Sequence, residues 1–120
     1  MDANESLSTV SHLFKEKHIR HLPVVLGGKL VGIITDRDIK RASASDATLL
    51  EVHELLYVLN KIKASEVMTE NPITVSPGSD LKAAAGLLVQ NKIGGLPVLE
   101  GNKLVGIITD TDILAHLANS

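Results

Sequence analysis

The chain has 120 residues, of which 44% are hydrophobic, and it is long enough to form one ordinary domain with an aliphatic core. Its net charge of −2 and its 2% aromatic content exclude both a basic stripe and a stacking platform for nucleic acid. It contains no cysteine, which excludes disulfides and thiolate sites and favours the cytoplasm. No apolar run approaches the roughly 20 residues of a membrane helix.

The first part of the chain predicts a helix, a hairpin of two strands and a second helix. Apolar residues at helical spacing predict a helix from Glu5 to Lys17, and an aliphatic run predicts a strand from Leu22 to Leu26. Gly27-Gly28 supplies the positive φ values of a tight turn, so the strand from Lys29 to Thr35 should pair antiparallel with the first. Because this second strand and its counterpart from Lys103 to Thr109 are nearly all aliphatic, we expect each of them to be buried on both faces. A helix from Asp36 to Ala42 follows.

Residues 43–63 predict a further helix that carries an unusually broad apolar stripe. One face consists of Leu49, Val52, Leu56 and Leu59, and it is widened by Leu55, Val58 and Ile62. The stripe either packs on the rest of the chain or forms a surface for self-association.

The stretch from Leu22 to Ile39 recurs from Leu96 to Ile113 at an offset of 74 residues, with 14 of the 18 positions identical. A repeat of this kind predicts two similar units related by pseudo-twofold symmetry. The elements of the second copy are a strand from Pro72 to Val75, a helix from Ser79 to Asn91 with Ser79 as N-cap, strands from Leu96 to Glu100 and from Lys103 to Thr109 around a Gly101-Asn102 turn with positive φ values, and a helix from Asp110 to Leu117. Since Met1 aligns with Val75, the first copy should lack the opening strand, which favours a trimmed N-terminus.

Three motifs carry a family resemblance. They are V-M-T-E-N-P-I-T-V at Val67 to Val75, L-P-V at Leu22 and Leu96, and G-I-I-T-D-x-D at Gly32 and Gly106. In this order, and with two of them present twice, they resemble a tandem pair of CBS (cystathionine β-synthase) domains, also called a Bateman module. H-I-R-H-L-P-V-V and T-D-R-D-I-K-R-A-S are more narrowly similar to the CBS portion of AcuB-type acetoin-utilisation proteins.

The resemblance implies an α/β (α+β) fold in which each unit is a small sheet packed on two helices, in the order β-α-β-β-α. The implied domains are a first CBS unit over residues 1–42 without its opening strand, a helical insert over residues 43–63, and a second CBS unit over residues 64–120. Family resemblance also favours a flat homodimer.

In T-D-x-D the threonine ends a strand and begins a helix, where backbone N–H groups and the helix dipole favour an anion. In CBS domains that bind adenosine nucleotides, this threonine contacts phosphate, the second aspartate contacts the ribose hydroxyls, and apolar residues enclose adenine. The resemblance therefore implies a second-unit site and a weaker first-unit site. The second-unit residues are Ile73, Thr74, Gly95, Leu96, Pro97, Thr109 and Asp112. The first-unit residues are His21, Leu22, Pro23, Thr35, Arg37 and Asp38. Among them Arg37 offers a phosphate partner that its counterpart Thr111 cannot provide.

A structural role is the alternative for this motif, because T-x-x-D is also a variant of the capping box. The histidines, including His18 and His21, lack the clustered carboxylates and the spacing of a metal site, so no metal is expected. The sequence contains neither a nucleotide-binding glycine loop nor a nucleophile elbow, so we expect no enzymatic activity.

The leading hypothesis is a non-enzymatic regulatory module that binds AMP, ADP, ATP or S-adenosylmethionine in the cleft between its two units, with no required cofactor. The module would signal to a regulated protein that the sequence leaves unknown. The alternative is a ligand-independent module for homodimerisation or protein interaction. Neither hypothesis includes nucleic acid or a membrane.

Overall fold

The computed structural model describes residues 1–47 and 59–119, with the side chains of residues 43–47 excepted. The chain divides into two compact units, Met1–Asn71 and Pro72–Ser120, and each is described by itself. Most of the helix predicted within residues 43–63 lies outside the described residues. At its described end, residues 59–61 are helical and Leu59 is buried.

The first unit contains an antiparallel hairpin flanked by helices. Its elements are α1 (Leu7–Lys17), β1 (His21–Leu26), β2 (Lys29–Thr35), α2 (Asp36–Ala47), α3 (Ala64–Val67) and β3 (Thr69–Glu70). The strands form one sheet in the order β1-β2-β3, and both pairings are antiparallel. The helix, hairpin and helix predicted for the first copy are thereby confirmed, with α2 extending five residues beyond the predicted end.

Local sequence explains where these elements begin and end. The Ser6 side chain caps α1 by accepting from the Thr9 N–H, and His18 ends the helix in the left-handed conformation at φ 53°. Gly27 and Gly28 form the hairpin turn at φ 59° and 79°. Glycine adopts these positive φ values without the steric cost that a residue with a Cβ atom has.

Among the described residues, the core of the first unit is aliphatic apart from the ring of Phe14. Leu7 and Val10 from α1, Val24 from β1 and Ile34 from β2 are all 0% exposed. The remaining buried members of this core are Ala3, Phe14, Leu59 and Ala64. Leu59 lies near the end of the predicted insert and Ala64 follows it, so the first unit buries residues from both ends of its own stretch of chain.

Residues 59–70, here called the cover segment, lie across the first unit and hold it through backbone hydrogen bonds. The Leu7 N–H donates to the Ile62 carbonyl at 2.8 Å, and the Ala64 N–H donates to the Glu5 carbonyl at 2.8 Å. Farther along, Thr69 pairs with Ile33 of β2 in the sheet. Residues 64–70, which the predicted domain bounds place in the second unit, therefore pack with the first unit.

Met1 and Ala3 occupy the place where the second copy has the end of its opening strand. The Val25 N–H donates to the Met1 carbonyl at 2.7 Å, and the Ala3 N–H donates to the Val25 carbonyl at 2.8 Å. At the 74-residue offset, the Leu99 N–H likewise donates to the Val75 carbonyl at 2.8 Å. The strand predicted over Pro72 to Val75 is reduced to a parallel bridge between Val75 and Val98. The first unit has a parallel bridge one residue later in the repeat, between Asp2 and Val25.

The second unit repeats the helix, hairpin and helix. Its elements are α4 (Leu81–Asn91), β4 (Gly95–Glu100), β5 (Lys103–Thr109) and α5 (Asp110–Ala118). Its core consists of Ala84, Leu88, Leu96 and Ile113. The two hairpin strands and the two helices predicted for the second copy are confirmed, and the mixed α/β fold class with them.

Three details of the second copy differ from the sequence predictions. The N-cap of α4 is Asp80, whose side chain accepts from the Lys82 N–H at 3.3 Å, and not Ser79, which instead accepts from the Ser76 N–H in the preceding turn. Asp80 is also the repeat counterpart of Ser6, the cap of α1. In the hairpin turn only Gly101 has a positive φ, 65°, and Asn102 does not.

The third difference is that β5 is not buried on both faces. Val105 is 46% exposed and Gly106 is exposed, whereas Gly32, the counterpart of Gly106 in β2, is buried. The reason is the neighbour of each strand. β3 lies along β2, and within the described residues no strand lies along the corresponding edge of β5.

Candidate functional site

The T-D-x-D motif of the second unit lies at the junction of β5 and α5 and forms a complete capping box. The Thr109 side chain accepts from the Asp112 N–H at 3.2 Å, and the Asp112 carboxylate returns the bond by accepting from the Thr109 N–H at 2.8 Å through Oδ2. The capping function predicted for this motif is therefore present. A carboxylate has two oxygens, so the cap leaves Oδ1 of Asp112 as an acceptor.

The first unit has the same box with less access to solvent. The Thr35 N–H donates to Asp38 Oδ2 at 2.9 Å, and the Asp38 N–H donates to the Thr35 hydroxyl at 3.3 Å. Asp38 is only 8% exposed, and its Oδ1 lies 4.0 Å from Nη1 of Arg41. Asp112, by contrast, is exposed. The two motifs share their backbone geometry and differ in how a ligand would reach the carboxylate.

Sheet register brings part of each predicted site together. Gly95 pairs with Thr109 and Leu96 pairs with Ile108, so the start of β4 lies beside the end of β5. The Asp110 N–H donates to the Gly94 carbonyl at 3.0 Å and closes this end of the hairpin. Gly95, Leu96 and Pro97 are all buried.

The first unit has the matching arrangement. His21 pairs with Thr35 and Leu22 pairs with Ile34, and the Asp36 N–H donates to the Arg20 carbonyl at 3.0 Å. His21, Leu22 and Pro23 are all half-buried. The first three residues of β1 are thus more accessible than their counterparts in β4.

Ile73 and Thr74 lie on the other side of β4 from Thr109. Their neighbour Val75 bonds to Pro97 and Leu99 of β4, opposite the edge at which β5 pairs. The segment around Val75 and strand β5 are therefore two strand spacings apart, a distance of about 10 Å. Ile73 packs against the core that contains Leu96. The second-unit residues therefore form a row across the sheet with β4 in the middle.

Arg37 and Arg41 lie differently with respect to the first-unit capping box. Arg37 is exposed, and its described hydrogen bond is the one from its backbone N–H to Asp36 Oδ1 at 3.0 Å. Arg41 is the cation that faces Asp38. Its spacing of three residues from Asp38 on a helix is the signal that identifies it in the sequence.

An open cavity of about 440 Å³ lies in the second unit, near the hairpin turn. Its lining residues are Thr74, Val75, Ser76, Ser79, Ala83, Ala84, Leu87, Leu99 and Gly101. Of the predicted second-unit site it includes only Thr74. The cavity and the capping box are thus separate features of the unit.

In residues 1–47 and 59–119, no group of three or more His, Asp or Glu side chains is placed to hold a metal ion. None of the helices in the described ranges is long and apolar enough to cross a membrane.

Comparison with known sequences identifies the repeated units. The family model described as CBS domain matches residues 1–45 and 64–119. Protein MJ1225 of Methanocaldococcus jannaschii is 36% identical over 117 residues, which are 95% of this chain and 41% of that protein. The chain thus spans less than half of this relative.

Solved structures share the fold over nearly the whole chain. A candidate acetoin utilization protein (AcuB) from Vibrio cholerae is 32% identical with a TM-score of 0.80, covering 99% of this chain and 82% of that one. The CBS domain pair of protein MJ0100, in complex with 5′-methylthioadenosine and S-adenosyl-L-methionine, is 31% identical with a TM-score of 0.79, covering 98% and 86%. CBSX2 in complex with AMP is 26% identical with a TM-score of 0.79, covering 99% and 86%.

Proposed function

Because the chain belongs to the CBS domain family, we propose that it is a regulatory module whose second unit binds an adenosine-containing ligand. The candidates are AMP, ADP, ATP, S-adenosylmethionine and 5′-methylthioadenosine. Two solved relatives of the same fold hold AMP or the two adenosyl sulfur compounds, which supports this ligand class. The proposal concerns binding and regulation and assigns no catalytic residue.

The observation that carries the proposal is the exposed capping box at the end of β5. Asp112 uses one carboxylate oxygen for the cap and is exposed, so its other oxygen is able to accept hydrogen bonds from a vicinal diol. The first turn of α5 lies at the same point, where helix N–H groups favour a phosphate or a carboxylate. A ribose and an anionic group would therefore be held by Thr109 and Asp112.

The adenine ring would lie toward the middle and far side of the sheet. The start of β4 is buried and apolar from Gly95 to Pro97, and Ile73 and Thr74 lie across it from Thr109. The separation of about 10 Å across the strands is comparable with the length of an adenosine. These seven residues form the proposed second-unit site.

The first-unit site is the weaker candidate. Asp38 is buried, and its second oxygen faces Arg41, so a ribose would compete with the guanidinium. The proposed role of Arg37 with a phosphate stays a prediction, as do the homodimer and the cytoplasmic location.

A ligand regulates such a module only through its different affinities for two conformations. Coupling free energies of about 1 to 3 kcal/mol are typical and correspond to roughly 5-fold to 150-fold changes in affinity. We propose that the bound ligand acts in this way on a partner protein.

Isothermal titration calorimetry of the full chain with each candidate ligand tests the proposal. We expect at least one ligand to bind, and Asp112→Ala to weaken its affinity about tenfold or more, since a hydrogen bond to a charged group contributes about 1.5 to 3 kcal/mol. Asp80→Ala is the matched control, because it removes another exposed aspartate cap of the same unit. Equal binding by Asp112→Ala and the wild type would refute the site.

One observation favours the alternative function as an interaction module. Leu114 and Leu117 on α5 are 66% and 61% exposed, and their spacing places them on one helix face. Analytical ultracentrifugation of the double variant Leu114→Glu, Leu117→Glu tests it. A dimer that is lost in this variant, combined with no adenosine binding in the wild type, would favour the alternative.

A further inference from the structure

The two capping boxes differ in charge, although their hydrogen bonds agree. Residues 35–41 are T-D-R-D-I-K-R, in which three cations and two aspartates leave a formal charge of +1. Residues 109–115 are T-D-T-D-I-L-A, in which two aspartates and no cation leave a formal charge of −2. The repeat thus keeps the box and changes the charge around it.

The strand that pairs with each box adds to this difference. The N–H of the first aspartate in each motif donates to the carbonyl of Arg20 in the first unit and to that of Gly94 in the second. An exposed arginine therefore lies beside the first box, where a glycine lies beside the second. The ends of the preceding helices do not offset it, since Lys17-His18 and Asn91-Lys92 each include one cation when histidine is neutral.

Arg41 extends to the first turn of α2 and meets Asp38 there. Helical side chains lean toward the N-terminus of their helix, and Nη1 of Arg41 lies 4.0 Å from Oδ1 of Asp38. The carboxylate is 8% exposed and the arginine side chain is 79% exposed, so the guanidinium is the member of the pair that is able to turn to another anion. Such a turn leaves a buried carboxylate oxygen that needs a new hydrogen-bond donor.

A phosphorylated nucleoside supplies both replacements. Its phosphate accepts from the guanidinium in the bidentate manner that arginine favours, and its ribose hydroxyls donate to Asp38. An adenosyl ligand without a phosphate supplies only the ribose, and it would displace Arg41 from its carboxylate without giving it another partner. The ion pair of the first unit therefore favours a phosphorylated ligand over an uncharged one.

The second unit favours the opposite kind of ligand. Ala115 stands at the place of Arg41, so a ribose reaches Asp112 without displacing a cation. A phosphate, which carries about −1.5 to −2 charges at neutral pH, would meet Asp110 and Asp112 in the same turn of helix. This repulsion is absent for a ligand whose 5′ group is uncharged or cationic.

Resting on the proposed function, we propose that the two units divide adenosine ligands by charge. The first unit binds those with a 5′-phosphate, such as AMP, with Arg41 as the residue that determines specificity. The second unit binds those with an uncharged or cationic 5′ group, such as 5′-methylthioadenosine and S-adenosylmethionine. One chain thereby responds to a phosphorylated nucleotide and to an adenosyl sulfur compound through separate sites.

Competition calorimetry of the wild-type chain tests the division. AMP and 5′-methylthioadenosine are the probes, because they share adenosine and differ in the 5′ group. We expect a chain that is saturated with 5′-methylthioadenosine still to bind AMP. Mutual displacement of the two ligands would show that they share a site and would overturn the inference.

Arg41→Ala gives the first unit the residue of the second. In a chain whose second site is removed by Asp112→Ala, we expect the change to weaken AMP about tenfold, because the phosphate loses a charged partner. The same change should strengthen 5′-methylthioadenosine about threefold, because Asp38 no longer has to leave an ion pair. Damage to the fold would weaken both ligands, so opposite signs identify a role in specificity.

Lys40→Ala is the matched control for this variant. Lys40 is an exposed cation of the same helix, and in the described part of the chain it has no ion pair with Asp38. Its removal should weaken AMP by less than about threefold, since its interaction with a phosphate is screened by solvent, and it should leave 5′-methylthioadenosine unchanged. A gain for 5′-methylthioadenosine in Lys40→Ala would attribute the effect to net charge and not to the ion pair.

Thr111→Arg makes the reciprocal change in the second unit. In a chain whose first site is removed by Asp38→Ala, we expect AMP to bind about fivefold more tightly and 5′-methylthioadenosine to bind as before. Thr111→Gln is the control, because it lengthens the side chain without adding a charge. An equal gain for AMP in both variants would contradict the electrostatic explanation.

The outcomes separate this inference from the proposed function. If neither probe binds the wild-type chain, the proposed function fails and the inference fails with it. If both probes bind and Arg41→Ala changes their affinities alike, the division by charge is overturned and the adenosine sites stand.

Discussion

β2 and β5 have the same sequence, K-L-V-G-I-I-T, and differ in their surroundings. In β2 the isoleucine Ile34 is 0% exposed and Gly32 is buried, whereas in β5 the counterpart Ile108 is half-buried and Gly106 is exposed. Both strands form the same hairpin in the same register, including a shift at the same point. The repeat therefore determines the hairpin, and the segment that packs beside the strand determines burial.

The capping boxes make the same comparison at the candidate sites. The hydrogen bonds of the two boxes agree within about 0.1 Å, yet one carboxylate is buried near an arginine and the other is exposed. Asp38 thus combines a cap with an ion pair to the exposed side chain of Arg41, whereas Asp112 combines a cap with access for a ligand. Equal local geometry does not imply equal function.

The largest difference between the units should come from the first leucine of each N-terminal helix. Leu7 is 0% exposed under the cover segment, whereas its counterpart Leu81 is half-buried. We expect Leu7→Ala to lower the free energy of unfolding by about 2 to 5 kcal/mol. Leu81→Ala should cost roughly half as much, since less surface is removed from water. Urea unfolding followed by circular dichroism measures both, and equal losses would show that the cover segment contributes little to burial.

The two strand glycines give the next largest effect. Gly32→Ala forces Met68 and the Thr69 backbone to move, and overpacking of this kind costs about 1 to 3 kcal/mol. Gly106→Ala meets open space and should change stability by less than about 0.5 kcal/mol. Differential scanning calorimetry of the two variants makes the comparison. A comparable loss for Gly106→Ala would mean that β5 is covered in solution.

Sequence reasoning predicted the elements well because they depend on local patterns. The aliphatic runs, the glycine turns and the T-x-x-D caps are each encoded within a few residues, and the two hairpins were confirmed. The burial of β5 was predicted wrongly because its run of aliphatic residues matches that of β2, and only a distant segment distinguishes the two strands. The pairing of Thr69 with Ile33 has no signal in either local sequence.

The candidate site was predictable in part for the same reason. The capping bonds follow from Thr109 and Asp112 alone, and hairpin register then places Gly95 beside Thr109. The difference in exposure between Asp38 and Asp112 depends on tertiary packing, which cannot be predicted from two nearly identical local sequences. The N-cap of α4 was missed because Ser79 and Asp80 are both good caps, and only comparison with Ser6 at the repeat offset selects Asp80.

Removal of the box carboxylates should give a moderate and unequal effect. Asp38→Ala removes a cap acceptor that is also buried beside Arg41, and we expect a loss of about 1 to 2 kcal/mol. Asp112→Ala removes an exposed cap acceptor and should cost about 0.5 to 1 kcal/mol. Thermal unfolding without ligand measures both. A larger loss for Asp112→Ala would indicate that its surroundings are more buried than those of Asp38.

The hairpin turns should give the smallest effect and no difference between the units. Gly27 and Gly101 have φ values of 59° and 65°, and a Cβ on either residue meets nothing within 4 Å. Alanine in this left-handed region destabilises the folded state by about 1 to 2 kcal/mol. Alanine also lowers the conformational entropy of the unfolded chain relative to glycine, which offsets about 0.4 to 1 kcal/mol of that loss. We therefore expect Gly27→Ala and Gly101→Ala each to cost about 0.5 to 1 kcal/mol in urea unfolding. Both turns lie away from the cover segment's described contacts. Equal costs would therefore mean that the two units differ only at the surfaces beside the strands. Unequal costs would mean that the hairpins themselves also differ.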